Sequence, residues 1–206
     1  MQEAVCERTR DRRITRTRQA LRSSLIELTE ERGLEGFTIN DLCERADINR
    51  GTFYNHFRDK DDLLKQLEGE VLADLQAFQT EMGDLSLVEV ARAGKTRTPL
   101  PLFVELFDYL RGQGDFLHAV LGEGGDASFS RRLRDAVCTN FVQRMLHERY
   151  RTSTDPFVGY YVSFYASAYM GVILRWLETG MTESSEEMAV IALRLLFIKP
   201  GESIKL

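Results

Sequence analysis

Two residues that favour helix N-caps, Thr38 and Asn49, lie only eleven positions apart, and this spacing constrains the fold more than any other feature of the chain. A short run with helical periodicity follows each of them, which predicts one helix over Ile39–Ala46 and a second over Arg50–Phe57. Asp41, at the third position of the first helix, completes an acidic form of the capping box. The segment therefore has to form two short helices joined by a tight turn.

The two short helices need a shared buried side, and the sequence provides one. Phe53 and Phe57 are four residues apart, which places both rings on one face of the second helix. Ala46 is small enough to let the two helices cross closely. The predicted inward side consists of Ile39, Leu42, Ile48, Phe53 and Phe57.

The opposite face of the second helix is polar. It carries Arg50, Thr52 and Asn55, with Gly51 as a low point where the helix can approach another surface. In the major groove of DNA, arginine pairs well with guanine and asparagine with adenine, and helix N-termini attract phosphate. The layout therefore favours a helix-turn-helix that lies in a DNA duplex.

A longer run of residues extends this interpretation. Gly51-Thr-Phe-Tyr-Asn-His-Phe57, followed by Lys60-Asp-Asp-Leu-Leu64, resembles the signature of TetR/AcrR-type transcriptional regulators, and the likeness covers about residues 13–67. The resemblance implies contacts with the DNA backbone from Tyr54, His56 and Lys60. It also implies phosphate contacts at the start of the preceding helix and base contacts along the second helix. The full DNA-binding set expected in this way is Thr38, Asn40, Asn49, Arg50, Gly51, Thr52, Tyr54, Asn55, His56 and Lys60.

A basic segment lies just upstream of this motif. Seven arginines and a single acid, Asp11, occur between Arg8 and Arg22, whereas the whole chain carries a net charge of −5. Bulk attraction to DNA is thereby excluded, so a local patch has to supply the contact. We expect an arm over Arg8–Arg18 to follow phosphates or to enter a minor groove, although an arginine-rich terminus is also typical of a solvated tail.

The rest of the chain also has helical periodicity, and no strand is expected. Gly33 ends a first helix over about Arg13–Arg32, Asp59 caps a helix from Lys60 to about Met82, and residues 83–99 are predicted to form a loop. Later helices are expected over Pro101–Arg111, Asp115–Leu121, Ser128–Tyr150, Pro156–Gly180 and Ser184–Phe197. The predicted fold is all-α. A three-helix DNA-binding unit with its basic arm occupies residues 1–60, and a bundle of about six helices for sensing and dimerisation occupies 61–206.

The helix over Phe157–Leu177 is apolar on nearly all sides and has to be covered on all sides. Glycines, serines and Arg175 interrupt it, so we interpret it as a buried helix and expect no membrane contact. One face suits its own domain and the other suits a second copy of the chain, although a central helix in a monomer core has the same pattern. The expected homodimer interface contains Tyr160, Phe164, Gly171, Trp176, Met188, Ile191 and Leu195.

The resemblance also implies an effector pocket in the C-terminal region. Its expected lining, each member of which also fits an ordinary core, is Phe103, Phe107, Phe116, Leu117, Phe141, Met145, Tyr161 and Tyr165. An unknown small molecule would release a repressor from a palindromic operator by population shift. The run from Gly171 to Trp176-Leu-Glu178 is similar to regulators of dihydroxyacetone kinase, some of which answer to a partner protein. Control by a partner, as an activator or adaptor, is therefore the alternative.

Other classes of protein lack support in the sequence. No GxSxG, HExxH, P-loop or dinucleotide-binding fingerprint occurs, so we expect no enzyme, no cofactor and no metal site. Cys6, Cys43 and Cys138 are odd in number and widely spaced, which argues against disulfides and favours the cytoplasm. The polar start Met1–Arg13 does not suit a signal peptide. Oxidation of Cys43 is a further possible means of control.

Overall fold

A computed structural model describes residues 2–82, 85–146, 150 and 153–197, without the side chains of 2–12, 79, 82, 87, 144 and 145. Regular secondary structure in these residues is helical and includes no strand, which confirms the predicted all-α class. The chain divides into two compact units. Unit 1 consists of residues 1–70 and 119–127, and unit 2 consists of residues 71–118 and 128–206.

Unit 1 contains the predicted pair of short helices. Its elements are α1 (Gln2–Arg32), a 3-10 turn (Leu34–Gly36), α2 (Ile39–Arg45), α3 (Arg50–Tyr54) and the first part of α4 (Lys60–Met82). The leucine stripe predicted for α1 is buried in the core of this unit and consists of Leu21, Leu25 and Leu28. Hydrophobic periodicity alone was therefore sufficient to identify the inward side of α1.

Two glycines shape the turn that follows α1. Gly33 adopts a φ of +71°, and its N–H donates to the carbonyl oxygen of Thr29 over 2.8 Å, which forms the predicted helix stop. Leu34 then donates its N–H to the carbonyl oxygen of Gly124 over 2.9 Å. A Cβ added at Gly124 would lie 3.1 Å from the Cα of Gly33, so this close approach favours glycine.

The helix caps predicted from the sequence are present. In the capping box of α2, the Thr38 hydroxyl accepts from the N–H of Asp41, and the Asp41 carboxylate accepts from the N–H of Thr38 over 2.8 Å. Asn49 accepts the N–H of Gly51 over 2.7 Å at the start of α3. At the start of α4, the Asp59 carboxylate accepts the N–H of Asp62 over 2.7 Å. These local bonds fix where each short helix begins.

Unit 2 is built around the later helices. They are α5 (Leu87–Thr96), α6 (Pro101–Gly112), α7 (Gly114–Leu121, ending in unit 1), α8 (Ala127–Leu133, beginning in unit 1), α9 (Asn140–Met145), α10 (Pro156–Glu178) and α11 (Ser185–Leu195). A π-helical turn, Arg134–Thr139, joins α8 to α9. Helix α6 packs on α11, and α10 packs on the π turn, so these elements surround the core of unit 2.

The structure corrects the loop predicted over residues 83–99, because α5 occupies most of that segment. Ser86 and Glu89 form a capping box at its start, which is a sequence signal that the loop prediction overlooked. Gly94 lies within α5, where the helix meets the C-terminal segment. A Cβ at Gly94 would lie 3.0 Å from the ring of Phe197 and 3.1 Å from the carbonyl oxygen of Leu193. Tertiary packing therefore explains this glycine.

The structure also corrects the uninterrupted helix predicted over Ser128–Tyr150. The helical run begins one residue earlier, passes through the π turn and ends at Met145, where Leu146 is extended. Residues 147–149 lie outside the described part of the chain. A π turn closes its hydrogen bonds over a longer interval than an α turn, and periodicity in the sequence does not indicate where one will form.

Helix α10 begins as predicted, with Pro156 in its first turn and Asp155 accepting the N–H of Phe157 over 2.9 Å. By length and composition, it is the one helix in the described ranges that would suffice to cross a membrane, and 28% of its most apolar stretch is buried within the chain. A single helix of this kind is weak evidence for a membrane, because core helices of folded domains have the same composition.

Candidate nucleic-acid interface

Helix α3 separates a buried apolar side from an exposed polar side. Phe53 and Phe57 are buried in unit 1, and their ring centroids lie 5.7 Å apart. Arg50, Gly51 and Asn55 are exposed, and Tyr54 keeps 49% of its surface in solvent. The helix ends at Tyr54, earlier than predicted, so Asn55 is its C-cap and Phe57 lies beyond it. The division into two faces is nevertheless the predicted one.

Arg50 and Tyr54 act together on the exposed side. The Arg50 guanidinium lies 5.9 Å from the centre of the Tyr54 ring and donates a long hydrogen bond of 3.4 Å to the phenol oxygen. This hydrogen bond raises the pKa of Arg50. The contacts with Tyr54 thus keep the charged guanidinium on the solvent side of α3. A cation with several donors in this position suits the edge of a guanine or a phosphate.

The remaining predicted DNA contacts are placed around this face in different ways. Asn40 is exposed, whereas Thr52 and His56 are half-buried. Thr38 and Asn49 are exposed, but their side-chain oxygens already act as helix caps. The Thr38 hydroxyl also donates to the Asp41 carboxylate over 2.5 Å, and this bond is the main reason that the pKa of Asp41 is lowered.

The ammonium group of Lys60, which the resemblance assigns to the DNA backbone, forms hydrogen bonds within unit 1. It donates to the carbonyl oxygens of Leu34 and Phe37, the latter over 3.2 Å. The same group lies 4.6 Å from the centre of the Phe37 ring. The charge therefore satisfies backbone acceptors around the 3-10 turn, and this arrangement ties the start of α4 to the segment that leads into α2.

The structure corrects one part of the prediction for the basic segment, namely where α1 begins. Helix α1 begins at Gln2, eleven residues before the predicted start, so the segment is helical where an arm had been expected. Arg18 is engaged within unit 1, where it forms an ion pair with Glu70, donates to Gln66 over 3.3 Å and lies over the Phe57 ring. Arg13 and Arg16 are exposed. The side chains of Arg8, Arg10 and Arg12 lie outside the described residues.

Sequence reasoning missed one residue that fixes α2 on α1. The Arg45 guanidinium donates to Glu27 over 3.0 Å and to both carboxylate oxygens of Glu31 over 2.8 Å. These bonds raise the pKa of Arg45, and the hydrogen bond from Arg45 lowers the pKa of Glu31. The partners are separated by 14 and 18 residues, so no local pattern indicates the pairing.

The predicted dimer residues divide into two groups. Tyr160 is 77% exposed and Phe164 is 69% exposed, while Gly171 and Leu195 are also exposed and Ile191 is half-buried. Trp176 and Met188 are only 2% and 3% exposed. Within one copy of the chain, these two side chains therefore belong to the core. They line an open groove, about 420 Å³ in volume, together with Gly171 and Ile191.

The predicted pocket residues do not share one cavity. Phe103, Phe107 and Phe141 line a small apolar cavity in unit 2. Phe116 and Leu117 are fully buried elsewhere, and the Phe116 ring packs on Phe129. Tyr161 and Tyr165 stack with ring centroids 4.6 Å apart outside the cavity lining, and the side chain of Met145 lies outside the described residues.

These features define a class of protein. Two short capped helices, α2 and α3, pack against each other, and α2 packs on α1. The second of them presents an exposed polar face on which Arg50 lies beside Tyr54. This is a helix-turn-helix of the kind that binds duplex DNA. The chain also contains a second compact helical unit.

Comparison with family models agrees with this class in both parts of the chain. Residues 23–67 match the model for bacterial regulatory proteins of the tetR family, and residues 97–197 match a transcriptional regulator C-terminal region. The chain belongs to the TetR family of DNA-binding transcriptional regulators.

Individual relatives match only part of the chain. The HTH-type transcriptional repressor DhaR of Mycobacterium sp. (strain GP1) is 31% identical over 101 residues, which cover 48% of this chain and 48% of DhaR. The chain spans about a quarter to a half of the length of the curated relatives it matches.

Solved structures share the fold over most of the chain. The dihydroxyacetone kinase operon activator DhaS has a TM-score of 0.53 and 18% identity, covering 87% of this chain and 93% of DhaS. The regulator FadR of Bacillus subtilis, in complex with stearoyl-CoA, has a TM-score of 0.58 and 14% identity, covering 86% of this chain and 96% of FadR. At these identities the comparisons show the fold alone.

Proposed function

We propose that the protein is a cytoplasmic, homodimeric repressor that binds a two-fold symmetric operator through α3. Residues 1–60 would bind DNA, and residues 61–206 would sense the signal and dimerise. The observation that carries this proposal is the exposed polar face of α3, with Arg50, Tyr54 and Asn55 outward and Phe53 buried beneath them. Such a face has no role in the core of unit 1, whereas its donors suit the major groove.

The contacts are assigned by placement on this face. Arg50, Gly51, Thr52 and Asn55 would read base edges. Arg50, Gly51 and the C-cap residue Asn55 are exposed, and Thr52 is half-buried in the same short helix. Tyr54 and His56 would contact the DNA backbone, together with Thr38, Asn40 and Asn49 around the caps. Lys60 would act through the position of α2 and α4, since its ammonium group is already bonded within unit 1.

A homodimer would use the exposed aromatic side of α10. Tyr160 and Phe164 are large apolar side chains in solvent, and Gly171 follows them along the same side of the helix. Burial of such a surface is favourable by about 25 cal/mol per Å² of apolar area. A two-fold dimer would also place two copies of α3 in successive major grooves.

Release by a small-molecule effector is the expected mode of control. DhaR is described as a repressor, and the FadR structure contains an acyl-CoA. The structural relative DhaS is described as an operon activator, which supports the alternative of an activator controlled by a partner protein. Either signal would act through its different affinity for two states of the regulator.

Selection of bound DNA from a random pool tests the central proposal. We expect a palindromic site whose half-sites are about one helical turn apart, or a multiple of it. The same site, placed near a reporter promoter, should reduce transcription when the protein is present. Failure to enrich any sequence would contradict DNA binding, and an enriched site without symmetry would contradict the dimer.

Arg50→Ala tests the role of the exposed face. We expect operator affinity to fall about tenfold or more, with preference lost at the base pair that Arg50 contacts. Arg131→Ala provides a matched control, because Arg131 is an exposed arginine on α8 in the other part of the chain. Equal effects of the two substitutions would contradict base reading by Arg50.

Deletion of residues 2–12 tests the basic segment. It removes three arginines, Arg8, Arg10 and Arg12, from the helical start of α1. If they neutralise phosphates, the slope of log affinity against log salt concentration should flatten by about 0.9 for each phosphate that is no longer neutralised. An unchanged slope would show that this part of α1 does not contact DNA.

A further inference from the structure

A small cavity lies within unit 2, between α6, the π turn and α10. It has a volume of about 30 Å³, which is too small for an organic ligand. Aliphatic and aromatic side chains form its wall, and among them are Phe103, Phe107, Val137, Cys138, Phe141 and Tyr169. None of the described residues that line it carries a charge.

The two polar groups in this wall offer little to a charged ligand. The Tyr169 hydroxyl already donates to the carbonyl oxygen of Ala192 over 2.9 Å. Burial raises the pKa of the Cys138 thiol to about 12, so the thiol is neutral. A carboxylate or ammonium group placed here would lose its hydration without gaining a partner, which is strongly unfavourable. The interior therefore discriminates against charge.

One side of the cavity is built on unusual backbone. Val137 and Cys138 belong to the π turn, and π turns in helices are frequent at functional sites. Aromatic rings complete the lining: the Phe141 ring makes edge contacts with Phe103 and Tyr169, with centroid distances of 5.4 Å for both. Rotation of these rings, or a shift of the surplus residue in the π turn, would widen the cavity without breaking an ion pair.

We propose that an uncharged, apolar effector binds between α6, the π turn and α10 by enlarging this cavity. The inference rests on the proposed release of a repressor by an effector, and it adds the chemical class of that effector. Three residues predicted to line a pocket, Phe103, Phe107 and Phe141, belong to this site. Tyr161, Tyr165, Phe116 and Leu117 do not.

The chain carries its own reporter for the site. Trp176 is the single tryptophan, and its ring packs edge-on against Phe107 with a centroid distance of 5.4 Å. A ligand that displaces Phe107 changes the surroundings of the indole. Tryptophan emission of the full chain therefore reports on the cavity, and the melting temperature reports binding independently.

The test uses two pairs of probes that differ mainly in charge: toluene with benzoate, and 1-octanol with octanoate. We expect the neutral member of each pair to shift Trp176 emission and raise the melting temperature, and the charged member to do neither. Equal binding of the charged members would overturn the inference. So would the absence of any response to both neutral probes.

A pair of cysteine variants locates the binding. Cys138→Ala enlarges the cavity, so neutral probes should bind about fourfold more tightly, a factor typical of one extra methylene-sized contact. Cys43→Ala removes the same atom from a buried position in unit 1 and should leave probe affinity unchanged. If Cys138→Ala does not fold, Phe141→Leu replaces it with the same expectation. Equal responses in both units would overturn the location.

Operator binding separates this inference from the proposed function. Neutral probes should weaken operator affinity, while the charged members leave it unchanged. Probe binding without any effect on operator affinity overturns the effector role, and the repressor proposal then stands. A chain that binds probes but selects no DNA sequence overturns the proposed function, although the cavity's preference for neutral ligands is still measured.

Discussion

The exposed face of α3 in unit 1 and the cavity in unit 2 are built on opposite principles. Around α3, short polar side chains cap helices, and Arg50 stands in solvent over Tyr54. In unit 2, aromatic and aliphatic groups line the cavity, and its polar atoms are neutral or bonded. The comparison shows that the chain exposes a charged side chain on the face proposed to bind DNA, whereas none of the described residues that line the cavity proposed to bind an effector has a charged side chain.

The buried side of α3 should contribute more to the stability of unit 1 than its exposed side does. Phe53 is fully buried, so Phe53→Ala should lower the free energy of unfolding by about 3–5 kcal/mol, because it leaves a cavity under α3. Tyr54→Ala, one residue away and half exposed, should change stability little but weaken operator affinity. Chemical denaturation and operator titration measure the two effects. The contrast between the faces fails if both substitutions are equally destabilising.

Substitution of Lys60 tests whether a cation close to α3 stabilises the fold or binds DNA. Lys60→Met leaves the carbonyl oxygens of Leu34 and Phe37 without their donor, so we expect a loss of about 1.5–3 kcal/mol in unfolding free energy. The salt dependence of operator binding should stay the same. Lys65→Met, at an exposed position on α4, is the control for removal of a lysine. A slope that falls by about one unit would instead reveal a phosphate contact.

Substitution of the two buried cysteines, Cys43 in unit 1 and Cys138 in unit 2, should change stability least. The pH dependence of these changes compares the interiors of the two units. Burial raises the pKa of both thiols, and that of Cys138 reaches about 12 from a usual value of 9.0. A raised pKa in the folded state stabilises the fold below pH 9, and this contribution is lost as the pH rises toward 12. The stability difference between the wild type and Cys138→Ala should therefore shrink over that range.

Cys43→Ala is the matched control for the pH series. Its pKa is raised in the same direction, mainly by burial, while Arg50 opposes the shift. We expect a weaker dependence on pH than at Cys138, measured by denaturation at each pH. An identical dependence would contradict the drier surroundings of Cys138. The raised pKa also makes Cys43 a poor candidate for oxidation, since the thiolate is the reactive form.

The fold around α2 and α3 was predictable because its determinants are local. Thr38 and Asn49 start their helices through bonds to residues two or three positions away, and Phe53 and Phe57, only four residues apart, are both buried. Even the missed helix α5 had a local signal in Ser86 and Glu89. Such interactions join residues that are close together in the sequence, so the sequence pattern is sufficient to recognise them.

The tertiary structure decided the features that depend on distant partners. Lys60 bonds to carbonyl oxygens 23 and 26 residues away, and Arg18 forms an ion pair 52 residues along the chain. Trp176 and Met188 are buried although their pattern suited an interface. The sequence alone determined helices, caps and an exposed polar face, because these follow from neighbours along the chain. Which charges stay free and which apolar groups are covered follows only from how the helices pack.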